Sequence, residues 1–268
     1  MEYLTSSSND ESCCLVAELL NEGAHFITMR QYDEATFTLH IALKVSQNVL
    51  EGPSAQHISS EIVSEAYTEI QRIRERSARR ESRQRLGGVT ASTEKFHTQD
   101  MHEHDSSTPS LQGFVYREPI RLVDRYQIPC IRTLTLYASF NMGLAQHLKI
   151  LDASGAASSK TSGPSKKKFS KSRILKALEF YKLASAIESN TSDLRISATY
   201  SIAIINNMAQ LFQFSGRKSQ ADHLFHVLLD TLVYVVDCGN GNRVQDMESF
   251  FLNVSHLVSN TAAFAPAA

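Results

Sequence analysis

The chain has 268 residues, with 27 Lys and Arg against 28 Asp and Glu, and a formal net charge of −1. Because a nearly neutral chain has no global field that attracts nucleic acid or an anionic membrane, such binding would have to come from local patches. Hydrophobic residues make up 42% of the sequence, which is enough to fill a core. With 11 glycines and 6 prolines, the chain has too few helix breakers for a turn-rich β-protein. The composition therefore predicts a helical protein.

The cysteines and the first residues exclude several other classes. Cys13 and Cys14 are adjacent, whereas Cys130 and Cys238 are isolated, so neither a disulfide framework nor a Cys₄ zinc site is expected. Such sparse cysteine usage is typical of a reducing compartment. The first five residues lack the pattern of a signal peptide, and no apolar run approaches the length of a membrane span. We therefore expect a cytoplasmic or nuclear protein with no membrane partner.

In chain order, the first half has three predicted parts. Residues 1–12 are expected to be a flexible N-terminus. Residues 13–86 have apolar positions at helical spacing and predict a helical hairpin followed by a further helix. Residues 87–112 are rich in Ser, Thr, His and Asp and lack periodic apolar positions, so they predict a disordered linker.

The second half is expected to form a larger helical domain over residues 113–260. Its start is ambiguous, because Phe114-Val115-Tyr116 is compatible with a short extended piece before Pro119. Residues 153–172 are rich in Ser, Gly and Lys and predict a flexible insertion. Residues 261–268 are expected to be a C-terminal tail.

One spacing pattern recurs in the predicted helices. It begins at an Asn and places a small residue 14 positions later, a large apolar residue four further on, and a small or apolar residue after three more. The copies are Asn21–Ala35–Leu39–Ala42, Asn207–Ala221–Phe225–Leu228 and, split by the predicted insertion, Asn141–Ala177–Tyr181–Ala184, with a fourth start at Asn253.

This pattern predicts stacked helical hairpins. A small residue such as Gly23 allows the first helix to cross the second closely. The large residues, Leu39, Tyr181 and Phe225, are then expected to fill the space between neighbouring hairpins. A single hairpin cannot bury both of its faces, so the units must stack into a solenoid. The alternative is a helical bundle with coincidental spacing.

The first copy resembles a tetratricopeptide repeat (TPR). The resemblance rests on Asn-Glu-Gly-Ala-His-Phe at 21–26, Tyr-Asp-Glu-Ala at 32–35, Leu39 and Ala42-Leu43. The family's frequent Trp and closing Pro are absent. The resemblance implies an all-α TPR-like helical-hairpin solenoid of about three units plus a capping helix, with long disordered insertions. Because TPR proteins bind a peptide or helix of a partner in a concave groove, it also implies a protein–protein interaction adaptor or scaffold.

The resemblance also implies which side chains line the groove, since the first helix of each hairpin faces it. Asn21, Asn141, Asn207 and Asn253 occupy the same place in successive units. They predict either a ladder that binds a peptide backbone or hydrogen bonds that fix the packing between helices. The predicted partner-binding residues are Leu20, Ala24, Ile27, Phe140, Asn141, Leu144, His147, Asn206, Asn207, Gln210 and Gln213.

Other features suggest weaker alternatives. The basic segments 72–85 and 166–173 suit import signals, acidic partners or a regulatory, nucleic-acid-associated role, although nucleic acid is not expected as the main partner. The His-rich stretch 97–105 has metal-ligating side chains, but a disordered segment must pay an ordering cost, so no metal site is predicted.

Catalytic motifs are absent from the sequence. It contains no G-x-S-x-G, Walker A or H-E-x-x-H pattern, so we expect no catalytic residues, no cofactor and no enzymatic activity. A site assembled in three dimensions is the alternative. The expected partner is a protein or peptide whose identity the sequence does not give. Self-association is a further option, because three stacked units are close to the minimum for a stable array.

Overall fold

A computed structural model of the chain describes residues 6–51, 113–122, 128–155, 171–190, 198–241 and 244–262, together with scattered positions between 68 and 82. Regular structure in these residues is helical, with no strand. The predicted all-α class is therefore confirmed. The long helices are α1 (Ser6–Thr28), α2 (Tyr32–Glu51), α3 (Ile131–Gly155), α4 (Lys171–Ser189), α5 (Ala198–Phe214), α6 (Lys218–Asp237) and α7 (Met247–Ala262).

The chain divides into two compact units, and all seven of these helices belong to the unit formed by residues 1–58 and 113–268. In the other unit, residues 59–112, the described positions between 68 and 82 are helical and exposed. An ion pair of 3.6 Å joins Arg79 to Glu75 there. None of the described helices is long and apolar enough to span a membrane.

Two of the predicted flexible segments overlap helices that the structure describes. Residues 6–12, expected to be flexible, form the first two turns of α1. The predicted insertion is helical at both ends, over 153–155 and 171–172, and its remaining residues lie outside the described part. The predicted linker 87–112 lies wholly outside it.

Neighbouring helices pack against each other in chain order. Helix α1 packs on α2, α3 on α4 and α5 on α6, and further contacts join α2 to α3, α4 to α5 and α6 to α7. Glycines on the first helix of two pairs permit close contact. A Cβ atom added to Gly23 would lie 2.6 Å from Cγ of Leu39, and one added to Gly143 would lie 2.9 Å from Cδ1 of Tyr181.

These contacts correct one expectation. Leu39 and Tyr181 were expected to lie between neighbouring hairpins, but both pack within a pair, because a missing Cβ atom opens a slot opposite them. The Tyr181 hydroxyl group also reaches the next pair, where it accepts a hydrogen bond from Asn207 at 3.1 Å.

Three helices end in the same kind of turn. Arg30, Gly216 and Gly239 follow α1, α5 and α6 with φ angles of 57°, 75° and 68°. The next residue in each case donates its N–H to the carbonyl oxygen five residues earlier, at 2.9–3.0 Å. This is the Schellman arrangement, which satisfies the last carbonyl groups of a helix and reverses the chain within a few residues. It explains the tight connections between α1 and α2 and between α5 and α6.

Polar side chains join α2 to α3. The Tyr32 hydroxyl group donates to Oδ2 of Asp152 at 2.8 Å, and Lys149 forms an ion pair with Asp33. Burial, followed by the hydrogen bond to Asp152, raises the pKa of Tyr32 to about 12. Tyr32 therefore connects two helix pairs.

Candidate functional site

Residues 113–122 are the one described segment that lies extended across several helices. It contacts α1, α3, α5 and α7 in turn, and these are the first helices of the successive pairs together with the C-terminal helix. Phe114 lies at α7 and Leu122 lies at α1, so the segment runs opposite to the order of the helices. We call the face formed by these four helices the groove, because the resemblance placed a bound peptide there, and this face is covered by a piece of the chain itself.

Four asparagines, which we call the asparagine ladder, hold this segment by its main chain. In each case Oδ1 accepts the N–H of a segment residue, and Nδ2 donates to the carbonyl oxygen of the same residue. The donor–acceptor distances are 2.7–3.2 Å. The pairs are Asn253 with Phe114, Asn207 with Tyr116, Asn141 with Ile120 and Asn21 with Leu122. Because a primary amide both donates and accepts, the ladder recognises backbone, whatever the side chains are.

The register of the ladder follows from the geometry of an extended chain. The backbone groups of alternate residues point to the same edge, so one row of helices can bind residues 114 and 116, and 120 and 122. The step between Tyr116 and Ile120 is four residues, about 13 Å at the usual rise of an extended chain. Pro119 lies within this step and has no N–H that needs an acceptor.

Aromatic side chains surround Tyr116, which is 2% exposed. Its ring stacks on Phe250 with centroids 5.9 Å apart and an interplanar angle of 20°, and it meets Phe140 at 6.4 Å. Phe114 meets the same Phe250 ring edge-on at 5.2 Å. Aromatic pairs in these geometries add to the energy of burial. Tyr116 is therefore the main side-chain anchor of the segment.

Gly113 lies where the segment closely approaches two side chains of the helices. A Cβ atom added there would lie 2.7 Å from Oδ1 of Asn253 and still closer to Nε2 of Gln210. No other residue leaves this space open, since every side chain begins with a Cβ atom.

Other amides tie the ladder to its surroundings. Asn206 donates to the carbonyl oxygen of Phe114 at 3.0 Å, and Nδ2 of Asn253 donates to Oδ1 of Asn206 at 2.5 Å. Asn207 also donates to the hydroxyl group of Tyr181, and burial raises the pKa of that hydroxyl group. The asparagines thus combine the two roles weighed from the sequence, because they bind a backbone and also connect helices.

The remaining predicted groove residues lie in different environments. Gln213 is exposed in the last turn of α5. Gln210 is buried beside Gly113, and its Oε1 has no hydrogen-bond partner in the part of the chain that the structure describes. The other predicted residues, which are buried, are Leu20, Ala24, Ile27, Leu144 and His147. The sequence-based groove set omitted Asn21 and Asn253, although their recurrence identified them as ladder members, and it also omitted Phe250.

His147 is buried between the rings of Tyr181 and Phe214, with centroid distances of 6.2 and 6.0 Å. Neither ring nitrogen has a hydrogen-bond partner among the described residues. Burial, reinforced by the positive charge of Arg117, lowers the pKa of His147 to about 3. The imidazole is therefore neutral at physiological pH.

The alternative sites lie largely outside the described residues. Within the described residues no three His, Cys, Asp or Glu side chains are grouped as a metal site would require, and the His-rich stretch 97–105 lies outside them. The described arginines of segment 72–85 lie on exposed helical positions, while residues 166–170 of the second basic segment are not described. The cysteines form no disulfide in the described part.

Comparisons with known proteins identify no relative. No protein-family model, curated protein or solved structure matches the chain. The feature of this chain that bears on function is the groove itself, which binds an extended main chain through a row of amides on alternate helices.

Proposed function

We propose that this protein is a protein–protein interaction adaptor or scaffold that binds an extended segment of a partner in its groove. The underlying architecture that we propose is a TPR-like solenoid of about three helical hairpins with α7 as the capping helix. The observation that carries the proposal is the asparagine ladder, in which four helices present the same amide to the same edge of one extended backbone.

The chemistry of the ladder favours binding over catalysis. Amide side chains neither ionise nor act as nucleophiles at neutral pH, but they pair with both polar groups of a peptide unit. Recognition through main-chain hydrogen bonds gives affinity, while pockets for alternate side chains give specificity. The aromatic surroundings of Tyr116 supply such a pocket. We propose a cytoplasmic location, which the absence of disulfides among the described residues accords with.

Site-specific photo-crosslinking in cells tests this proposal. The photoreactive residue p-benzoylphenylalanine would replace Phe250, which lines the groove, and in a control would replace Val233, which is exposed on α6. We expect a discrete partner protein to crosslink at position 250 and not at position 233.

The ladder variant Asn141→Ala, Asn207→Ala should abolish that crosslink, whereas Asn190→Ala, a change at an exposed asparagine, should leave it intact. Circular dichroism would establish that all variants keep their helicity. A partner that crosslinks equally at both positions, or that survives the ladder variant, would show that the groove is not the binding surface.

A further inference from the structure

We infer that residues 113–122 are an internal ligand that occupies the groove, and that the partner is an extended segment with the same pattern, which binds when the internal segment leaves. In this chain the pattern is a glycine at position 113, aromatic residues at positions 114 and 116, and a proline followed by an aliphatic residue at positions 119 and 120. This inference rests on the proposed function, since it names the ligand class and the regulation of the same groove.

The groove holds the segment through side chains, as a protein holds a bound peptide. Among the described residues, the main chain of the segment bonds to side chains of the ladder and to no helix backbone, so these bonds can open without breaking a helical hydrogen bond. The side chains of Arg117, Glu118 and Arg121 are exposed. Three of its ten residues, Val115, Tyr116 and Ile120, are buried, so its apolar attachment depends on a small number of side chains.

The surroundings of the segment restrict what can replace it. The groups that contact its inward side are amides and aromatic rings, with no described charged side chain hydrogen-bonded to its main chain. A ligand with a charge at the position of Tyr116 or Ile120 would bury that charge without a partner, at a large cost in free energy. A residue larger than glycine at position 113 would collide with Asn253 and Gln210. The class that fits is therefore a segment that begins with glycine and has uncharged side chains at the positions of Tyr116 and Ile120, with an aromatic one at the first of them.

Covalent attachment gives the internal segment an advantage over any external one. A tethered ligand has an effective concentration that is typically in the millimolar range for short flexible connections. A partner must compete with this, so its apparent dissociation constant is its intrinsic value divided by the fraction of molecules with an open groove. Weakening the internal segment should consequently increase the affinity for an external copy of it.

Binding of a labelled peptide to the full chain tests the inference. The probe is a fluorescein-labelled peptide of residues 113–122, Gly-Phe-Val-Tyr-Arg-Glu-Pro-Ile-Arg-Leu, with blocked ends, and a scrambled peptide is the specificity control. The release variant is Tyr116→Ala, Ile120→Ala, which removes two buried anchors, and the matched control is Glu118→Ala, an exposed position of the same segment.

Fluorescence anisotropy should show that the release variant binds the probe at least about tenfold more tightly than the wild type or Glu118→Ala. Adding Asn207→Ala to the release variant should remove this gain in affinity for the probe. A folded release variant that binds no better than the wild type would overturn the inference. If the release variant binds the probe tightly whether or not it carries Asn207→Ala, the groove is not where the peptide binds. If the peptide binds but no partner protein crosslinks at position 250, the adaptor role alone is contradicted.

Amide hydrogen exchange of the wild type tests whether the segment leaves the groove without global unfolding, and this test does not need a folded release variant. The amides of Phe114, Tyr116, Ile120 and Leu122 should exchange through local opening, at least about 100-fold faster than the amide of Leu144 in α3. If these amides exchange as slowly as Leu144, the segment leaves only on global unfolding, and the inference is wrong.

Discussion

Asn207 binds Tyr116 and Tyr181 at the same time: its Nδ2 donates to the carbonyl oxygen of Tyr116 at 3.0 Å and to the hydroxyl group of Tyr181 at 3.1 Å, while its Oδ1 accepts the N–H of Tyr116 at 3.0 Å. Tyr181 in turn packs over Gly143. One amide thus joins the groove segment, helix α5 and the α3–α4 pair. Recognition of the segment and packing of the helices consequently depend on the same side chain.

Replacing Asn207 with Ala should destabilise the protein strongly. The change leaves the N–H and carbonyl group of Tyr116 and the hydroxyl group of Tyr181 without their partner in a buried site, and each such group costs about 1–3 kcal/mol. We expect the free energy of unfolding in urea to fall by about 3 kcal/mol. Asn190→Ala, at an exposed position, should change it by less than about 0.5 kcal/mol. Equal values for the two variants would contradict the geometry of the ladder.

Gly113→Ala should weaken the seating of the segment. The new Cβ atom would lie 2.7 Å from Oδ1 of Asn253, so Asn253 or the segment must shift and lose its alignment. Overpacking of this kind costs about 1–3 kcal/mol in the free energy of unfolding. Gly241→Ala is the matched control, because its Cβ atom would be 3.5 Å from the nearest side-chain atom, an ordinary contact. Urea unfolding of both variants compares them, and a loss no larger than that of the control would count against the close approach.

Gly143→Ala should lower the thermal midpoint even though alanine favours helices. The higher helix propensity of alanine would by itself raise the free energy of unfolding by about 1 kcal/mol. The added Cβ atom would, however, lie 2.9 Å from the ring of Tyr181, which a buried ring cannot avoid without repacking. We expect a net loss of about 1–2 kcal/mol, measured by thermal unfolding.

The interaction between Gly143 and Tyr181 can be isolated with a double-mutant cycle. If the collision with the ring is the cause, Gly143→Ala should reduce stability much less in a Tyr181→Leu background than in the wild type. The coupling energy between the two substitutions should be about 1 kcal/mol or more. A rise in the thermal midpoint of the single variant would show that the two helices are further apart at this point.

Stability should depend on pH through His147. Its pKa is about 3 in the folded protein and 6.5 when exposed, so between these values the unfolded state binds more protons than the folded state. The contribution of His147 to the free energy of unfolding is complete above pH 6.5 and is lost as the pH falls towards 3. At pH 5 the loss from this group is about 2 kcal/mol.

Urea unfolding at pH 7 and pH 5 checks this dependence. His147→Leu should remove that part of the pH dependence while leaving the contribution of the carboxylates, so the fall in stability between pH 7 and pH 5 should be smaller in the variant by about 2 kcal/mol. An unchanged pH dependence would show that His147 is accessible to protons in the folded state.

The recurring spacing of the sequence predicts much of this architecture, for local reasons. The two crossing glycines, Gly23 and Gly143, each lie two positions after a ladder asparagine, because the same helix geometry repeats. The occupant of the groove could not be predicted in this way. Phe114 lies 139 positions from Asn253 in the sequence, and no local pattern connects them. The groove residues also differ in detail, since Gln213 falls in the exposed last turn of α5 while Asn253 faces the segment.

Residue-resolved hydrogen exchange in ladder variants tests the central claim, which is that each asparagine holds one particular residue of the segment. Asn141→Ala should accelerate exchange most at the amide of Ile120, and Asn207→Ala should do so most at the amide of Tyr116. Each effect should reach at least about tenfold, equivalent to one lost hydrogen bond. If the two variants change the same amides equally, or if neither amide is protected in the wild type, residues 113–122 do not occupy the groove in this register.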